Sequence, residues 1–186
     1  MKKEMRVLGI DDAPFDKSIK KDILLVGAFF RGGTQLDGIL STKIRVDGNN
    51  ATRKIAAMIM RSKFRPQLQC TILNGIAVGG FNVIDIHRLF ALTRIPVLVV
   101  VRRKPDFARI RSALTVAKKS GSYRLIEKAG PPRRLGKIYV QFAGIDLAVA
   151  KDILAITSTK SDIPEPLRVA HLIAGGIADG ESRGRA

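Results

Sequence analysis

The chain has 186 residues, 46% hydrophobic and 26% charged, an ordinary balance for a soluble globular protein that excludes wholesale disorder. A chain of about this length suits one domain, residues 1–186, with a core large enough to hold without staples, and a single cysteine, Cys70, rules out an intrachain disulfide and argues against a thiolate zinc cage. The distinctive quantity is charge: 33 Lys and Arg against 16 Asp and Glu give +17, which points toward a polyanionic partner.

In chain order, residues 5–10 form a short apolar run ended by Asp11-Asp12-Ala13-Pro14 and read as a buried strand. Residues 23–30 are apolar up to Arg31-Gly32-Gly33 and read as a second strand. From 38 to 46, Leu40, Thr42, Ile44 and Val46 alternate with Ser41, Lys43 and Arg45, the period of a half-exposed strand. Short connectors make these three an antiparallel meander.

The period then changes. After Asp47-Gly48-Asn49-Asn50, residues 51–62 carry Ile55, Met58 and Ile59 at helical spacing. A strand follows over 68–73, closed by Asn74-Gly75, then a helix over 81–92 and an apolar strand over 96–101. Phe107, Ile110, Leu114 and Ala117 mark another amphipathic helix. The spacing predicts a strand at 137–142, helices over 146–156 and 165–173, and a frayed tail at 180–186. The order β-β-β-α-β-α-β-α is not that of a doubly wound nucleotide fold. It is the order of a ribonuclease H-like α/β fold, a mixed sheet flanked by helices.

The positive charge is concentrated. Residues 102–137 hold twelve Lys and Arg, including Arg102, Arg103, Lys104, Arg133 and Arg134, against only Asp106 and Glu127. Such a field attracts phosphate backbones; a merely solvated surface is the competing account. Aromatics are 5% and Trp is absent, so backbone contact fits better than base stacking. The first residues show no signal peptide, and no apolar run is long enough for a membrane helix. The expectation is a cytoplasmic protein.

Strand ends in such a sheet gather distant residues. Asp11 and Asp12 close the first strand, Asp47 the third and Asn74 the fourth, and Asp85 lies on the following helix. Hard oxygen ligands of this kind suit Mg²⁺ or Mn²⁺, which can neutralise a phosphate and activate water for phosphodiester hydrolysis. Turn chemistry explains Asp11-Asp12 and Asp47-Gly48 equally, and Asp85 could sit on a solvated helix face. His87 and His171 read as helix-surface or packed residues, and Cys70 as a small core residue.

Val7-Leu8-Gly9-Ile10-Asp11-Asp12-Ala13, Val46-Asp47-Gly48, Asn74-Gly75-Ile76-Ala77 and Gly80-Phe81-Asn82-Val83-Ile84-Asp85-Ile86, followed by Ile95-Pro96-Val97, resemble the mostly archaeal family labelled endonuclease dU. That family is in turn similar to endonuclease V, a Mg²⁺-dependent nuclease of ribonuclease H-like fold that cuts near deaminated bases. Gly9-Ile10-Asp11, Gly75-Ile76-Ala77 and Pro164-Glu165-Pro166-Leu167-Arg168-Val169-Ala170 resemble stretches of endonuclease V. The chain departs from that pattern at Asn74, where an Asp is the rule. It also departs near Ala143, where the resemblance implies a late His and Asp146 is the closest candidate.

The resemblance implies a metal-dependent DNA endonuclease acting at deoxyuridine or another deaminated base. In that reading Asp11 bridges metals, Asp47 and Asp85 complete the set, Asp12 and Asn74 support it, and Arg102, Arg103 and Lys104 grip the backbone. The alternative is a catalytically inactive nucleic-acid-binding protein on the same scaffold. A structural component of an assembly is a third reading.

Overall fold

A computed structural model of the chain describes residues 4–16, 18 and 21–184. Strands β1 (Arg6–Asp12), β2 (Asp22–Arg31) and β3 (Gln35–Arg45) form the expected antiparallel meander. Helix α1 (Ala51–Met60) then returns the chain so that β4 (Cys70–Asn74) lies parallel to β1. A small hairpin, β5 (Ala77–Val78) and β6 (Asn82–Val83), precedes α2 (Ile86–Thr93). Strand β7 (Val97–Val101) pairs parallel to β4. Helices α3 (Phe107–Val116) and α4 (Ser120–Lys128) follow, then the antiparallel pair β8 (Arg133–Leu135) and β9 (Ile138–Ala143), then α5 (Leu147–Thr157) and α6 (Glu165–Asp179).

The large sheet runs β3-β2-β1-β4-β7-β9-β8, with β9 antiparallel to β7. This is the mixed, ribonuclease H-like sheet expected from the sequence. Side chains of β1 alternate between its faces. Leu8 and Ile10 join the core under α1 and α2, with Ile55, Ile59, Ile86 and Leu89. Val7 and Ala13 join the core under α5 and α6, with Ile153, Leu167 and Ala170. Both faces of the central strands are therefore covered, which is why they read as unbroken apolar runs.

Three local expectations change. The helix expected from residue 81 starts at Ile86, because Gly79 and Gly80, at φ +55° and +80°, turn the chain into a hairpin first. Fully buried Asn82 pins that hairpin: its amide donates to the Arg45 carbonyl and to Asn50 Oδ1, and its Oδ1 accepts from the Ala51 N–H. The helix at 107 stops where Lys118 turns left-handed at φ 56°, and α4, not foreseen, folds back against it around Leu114 and Ile126. In the segment expected to fray, Arg183 and Ser182 lie against α6; residues 185–186 lie outside the described residues. No helix among the described residues is long and apolar enough to cross a membrane.

Candidate functional site

Parallel pairing brings the carboxyl ends of β1, β4 and β7 to one edge, the place where open α/β sheets carry their sites. Ile10 pairs with Leu73, so Asp11 and Asn74 follow side by side. The Asn74 amide donates to Asp11 Oδ2 at 3.2 Å. Asp11 is only 4% exposed, and its same oxygen lies 2.8 Å from His171 Nδ1. The opposite ring nitrogen, Nε2, is 3.3 Å from the Arg183 carbonyl oxygen. A carbonyl oxygen and an ionised carboxylate only accept, so both contacts are satisfied together by a doubly protonated imidazolium. The hydrogen bond to Asp11 accordingly holds the His171 pKa above its usual value, against the opposing effect of burial.

His171 reaches Asp11 because α6 runs along β1. A Cβ on Gly9 would overlap the Pro166 carbonyl carbon and crowd Leu167 N, so helix and strand touch backbone to backbone there. Two residues further along β1 is about 7 Å, and four to five residues further along α6 is about 6–7.5 Å. These steps bring Asp11 and His171 level. Sequence reading set His171 aside as surface or packing. The available signal was its place directly after the Pro164-to-Ala170 stretch and four residues after Leu167, the spacing of one helix face.

Asp12 points to the opposite face of the sheet, where its Oδ2 accepts from the Gly79 N–H at 2.8 Å. Burial pushes the Asp12 carboxyl up to about 6; the Gly79 N–H opposes this, and the Asp11 carboxylate adds to it. Asp47 adopts φ 52°, a conformation Asp tolerates better than most residues. Its N–H donates to the Gly79 carbonyl and its Oδ1 accepts from the Phe81 N–H. Asp12 and Asp47 thus hold the same turn, residues 79–81, from two sides.

Asp85 does not join Asp11. It is the N-cap of α2, accepting from the Arg88 N–H, and its other oxygen takes Lys128 Nζ at 2.8 Å. Burial works to raise its pKa; the Lys128 hydrogen bond and the Arg88 N–H outweigh burial and hold the carboxyl below the usual range. Of the expected set, Asp47 and Asp85 are held by partners other than Asp11. Among the described residues no three of His, Cys, Asp and Glu gather as a metal-holding group. Asp11 meets Asn74 and His171 instead, because register and helix docking decide its neighbours.

The stretch near Ala143, where the resemblance implies a late His, lies away from this edge. Ala143 pairs with Val97, the first residue of β7, and so sits at the far end of the sheet from Asp11. Asp146 caps α5 through the Val149 N–H.

The basic residues expected to meet nucleic acid lie on the near edge. Arg102, Arg103 and Lys104 are exposed and directly follow β7, whose Val100 pairs with Asn74. Val101 pairs with Tyr139, and Tyr139 with Arg134, so exposed Arg133 and Arg134 continue the row two strands over.

For a hard divalent ion, the donor chemistry fits in kind. Asp11 offers a buried carboxylate at the strand end, while Asp12, on the other face, is bound by the Gly79 N–H. An ion such as Mg²⁺ commonly takes one or two carboxylates and completes its sphere with water and substrate phosphates.

Comparison with known proteins agrees with this architecture. A relative from Methanothermobacter thermautotrophicus, a UPF0215 protein, is 48% identical over 191 residues, covering 100% of this chain and 94% of its own. The crystal structure of a protein of unknown function from Archaeoglobus fulgidus is 41% identical, with TM-score 0.88, covering 94% of this chain and 99% of that one. Endonuclease V from Ciona intestinalis, solved with a 24mer DNA containing an inosine followed by a ribo-adenosine, shares the fold at TM-score 0.57 and 15% identity over 89% of this chain and 82% of its own. The family model described as Endonuclease dU matches residues 3–178, and this chain belongs to that family.

Proposed function

We propose that this chain is a metal-dependent DNA endonuclease that cuts at deoxyuridine or another deaminated base. One observation carries the reading: Asp11, Asn74 and His171 converge at the carboxyl edge of the sheet, beside exposed Arg102, Arg103 and Lys104, in a member of a family named for such an activity. The similarity to endonuclease V, solved on inosine-containing DNA, supports DNA as the substrate class.

Asp11 would hold Mg²⁺ or Mn²⁺ at the edge, with water and substrate phosphate completing its sphere; when bound, the ion neutralises phosphate charge and lowers the pKa of an attacking water. Asp12, on the other face, holds the Gly79 turn behind it. His171 fixes the Asp11 carboxylate through Nδ1 and keeps a proton at the edge. Asn74 orients the same oxygen from the neighbouring strand. Asp47 acts at one remove, by holding the turn that Asp12 also binds. Arg102, Arg103, Lys104, Arg133 and Arg134 offer phosphate contacts along the edge, which position a backbone without reading sequence. Asp85 supports α2 and α4 rather than the ion.

The test is nicking of a uracil-containing duplex with Mg²⁺ or Mn²⁺ by wild type, Asp11→Ala and His171→Asn. The expected result is cutting by wild type and loss in Asp11→Ala with folding intact. Undiminished cutting by a clean Asp11→Ala preparation overturns the assignment. A second reading, a binding protein on a nuclease scaffold, is favoured by Asn74, which supplies an amide donor to Asp11 in place of a negative charge. Tight, salt-dependent DNA binding with no product under either metal would select it.

A further inference from the structure

We propose that a basic cleft between α1, α2 and α4 is a second nucleic-acid surface, which seats the phosphodiester backbone of the strand beyond the reacting edge. The inference rests on the nucleic-acid reading above and adds a location that neither the motifs nor the acid edge requires. The cleft has a volume of about 660 Å³ and is lined by Arg53, Arg88, Lys118 and Lys119, with Asn49 and Asp85. Arg53, Arg88 and Lys118 are exposed, and their side chains make no hydrogen bond or ion pair with any described residue. Asp85, the one carboxylate in the lining, is already matched by Lys128 at 2.8 Å. Three cations thus share a concave surface with no counter-charge, an arrangement that repels itself until an anion arrives.

An extended anion fits better than a compact one. Arg53 also lines a neighbouring groove of about 520 Å³, to which Lys54 and Arg61 add charge and no acid answers. Arg53 and Ala57 on α1 and Arg61 at its C-cap lie at four-residue steps, so the basic stripe runs about 12 Å along the helix, the rise of roughly three to four phosphates in one strand. No aromatic residue lines either cavity, so the surface offers charge to the backbone and no stacking platform to bases.

Position ties the cleft to the acid edge. Asp47 binds the turn that Asp12 binds, and two residues later Asn49 lines the cleft. Lys119 Nζ donates to the Gly48 carbonyl and to Asn49 Oδ1, at 2.7 and 2.8 Å, fastening α4 to that loop. A strand lying across the edge therefore meets this surface within a few nucleotides.

The test compares binding of a uracil-containing duplex over a range of salt for three proteins: wild type, the cleft variant Arg53→Gln/Arg88→Gln, and a control with equal charge loss on exposed residues of the α5 side, Lys151→Gln/Lys160→Gln. With two phosphate contacts removed, the cleft variant should lose close to two from the slope of log affinity against log salt, roughly 50-fold in affinity near 0.1 M salt, while the control follows wild type. Equal losses in cleft variant and control overturn the cleft and leave general charge attraction. Competition by polyglutamate as effective as by DNA also overturns it, in favour of an acidic protein partner. Absence of salt-dependent DNA binding by wild type would instead defeat the nucleic-acid reading itself, which separates the two failures.

Discussion

The acid edge and the basic cleft sit at the same end of the sheet and are built in opposite ways. At the edge, Asp11 is 4% exposed and held by backbone register: β1 beside β4 supplies Asn74, and α6 pressed on Gly9 supplies His171. In the cleft, long side chains converge from α1, α2 and the α3–α4 turn, and Lys119 is anchored to the adjoining loop by hydrogen bonds of 2.7 and 2.8 Å. Buried polar groups act at short range and tolerate little displacement, because an unmatched one is costly. Exposed cations act at longer range, are screened by salt, and tolerate substitution one at a time. Chemistry that needs exact placement belongs on the first kind of surface, and capture of a polyanion on the second.

The sharpest way to break this contrast is Gly9→Ala. The new methyl would meet the Pro166 and Leu167 backbone, which cannot swing aside like a side chain. It should cost about 3 kcal/mol or more in denaturant unfolding and abolish nicking by lifting His171 from Asp11, while leaving the salt slope of DNA binding unchanged. Retained stability would show that α6 docks loosely.

A pH titration of stability comes next. The Asp12 carboxyl rises in the folded state from 3.8 to about 6, so the native protein binds the extra proton and stability falls as pH rises between those values, by up to about 3 kcal/mol. His171 is also raised; its contribution is full below its unfolded pKa and is lost as pH climbs through the higher folded one. Both groups therefore favour acid. Asp12→Asn should flatten the lower window only, and a bound divalent ion should pull the Asp12 titration down, measured by NMR.

Asp85→Ala tests which region owns that residue. Loss of the α2 cap and the Lys128 pair should cost about 1–2 kcal/mol, with nicking per folded molecule close to wild type. A loss as large as that of Asp11→Ala would return Asp85 to the metal set. The smallest expected effect is at Cys70, where burial pushes the thiol pKa up. It should stay silent to thiol reagents in the native protein and react only on unfolding.

Much of the fold was legible in local pattern. The alternation of Leu40, Thr42 and Ile44 and the unbroken apolar runs of β1 and β7 report burial on one face or two, and burial follows from side-chain period. The carboxylates were legible as a list of candidates, since Asp11, Asp12 and Asp47 all stand at strand ends. The α3–α4 pair was not legible, because α4 opens on Ser120-Gly121-Ser122, residues that promote turns as readily as helix, and becomes a helix by packing Ile126 against Leu114 and Val83.

The amino-acid sequence by itself determined the order of elements, the +17 charge and the strand-end acids, because period, turn chemistry and charge are local or additive properties. Only tertiary structure decided the partners. Asp11 and His171 are separated by 160 positions along the chain, and nothing in either neighbourhood encodes their meeting. It follows from the register of β1 with β4 and from a glycine that lets α6 lie against the strand. Asp85 was lost to the edge for the same reason: a capping N–H and a lysine on α4 reached its carboxylate first.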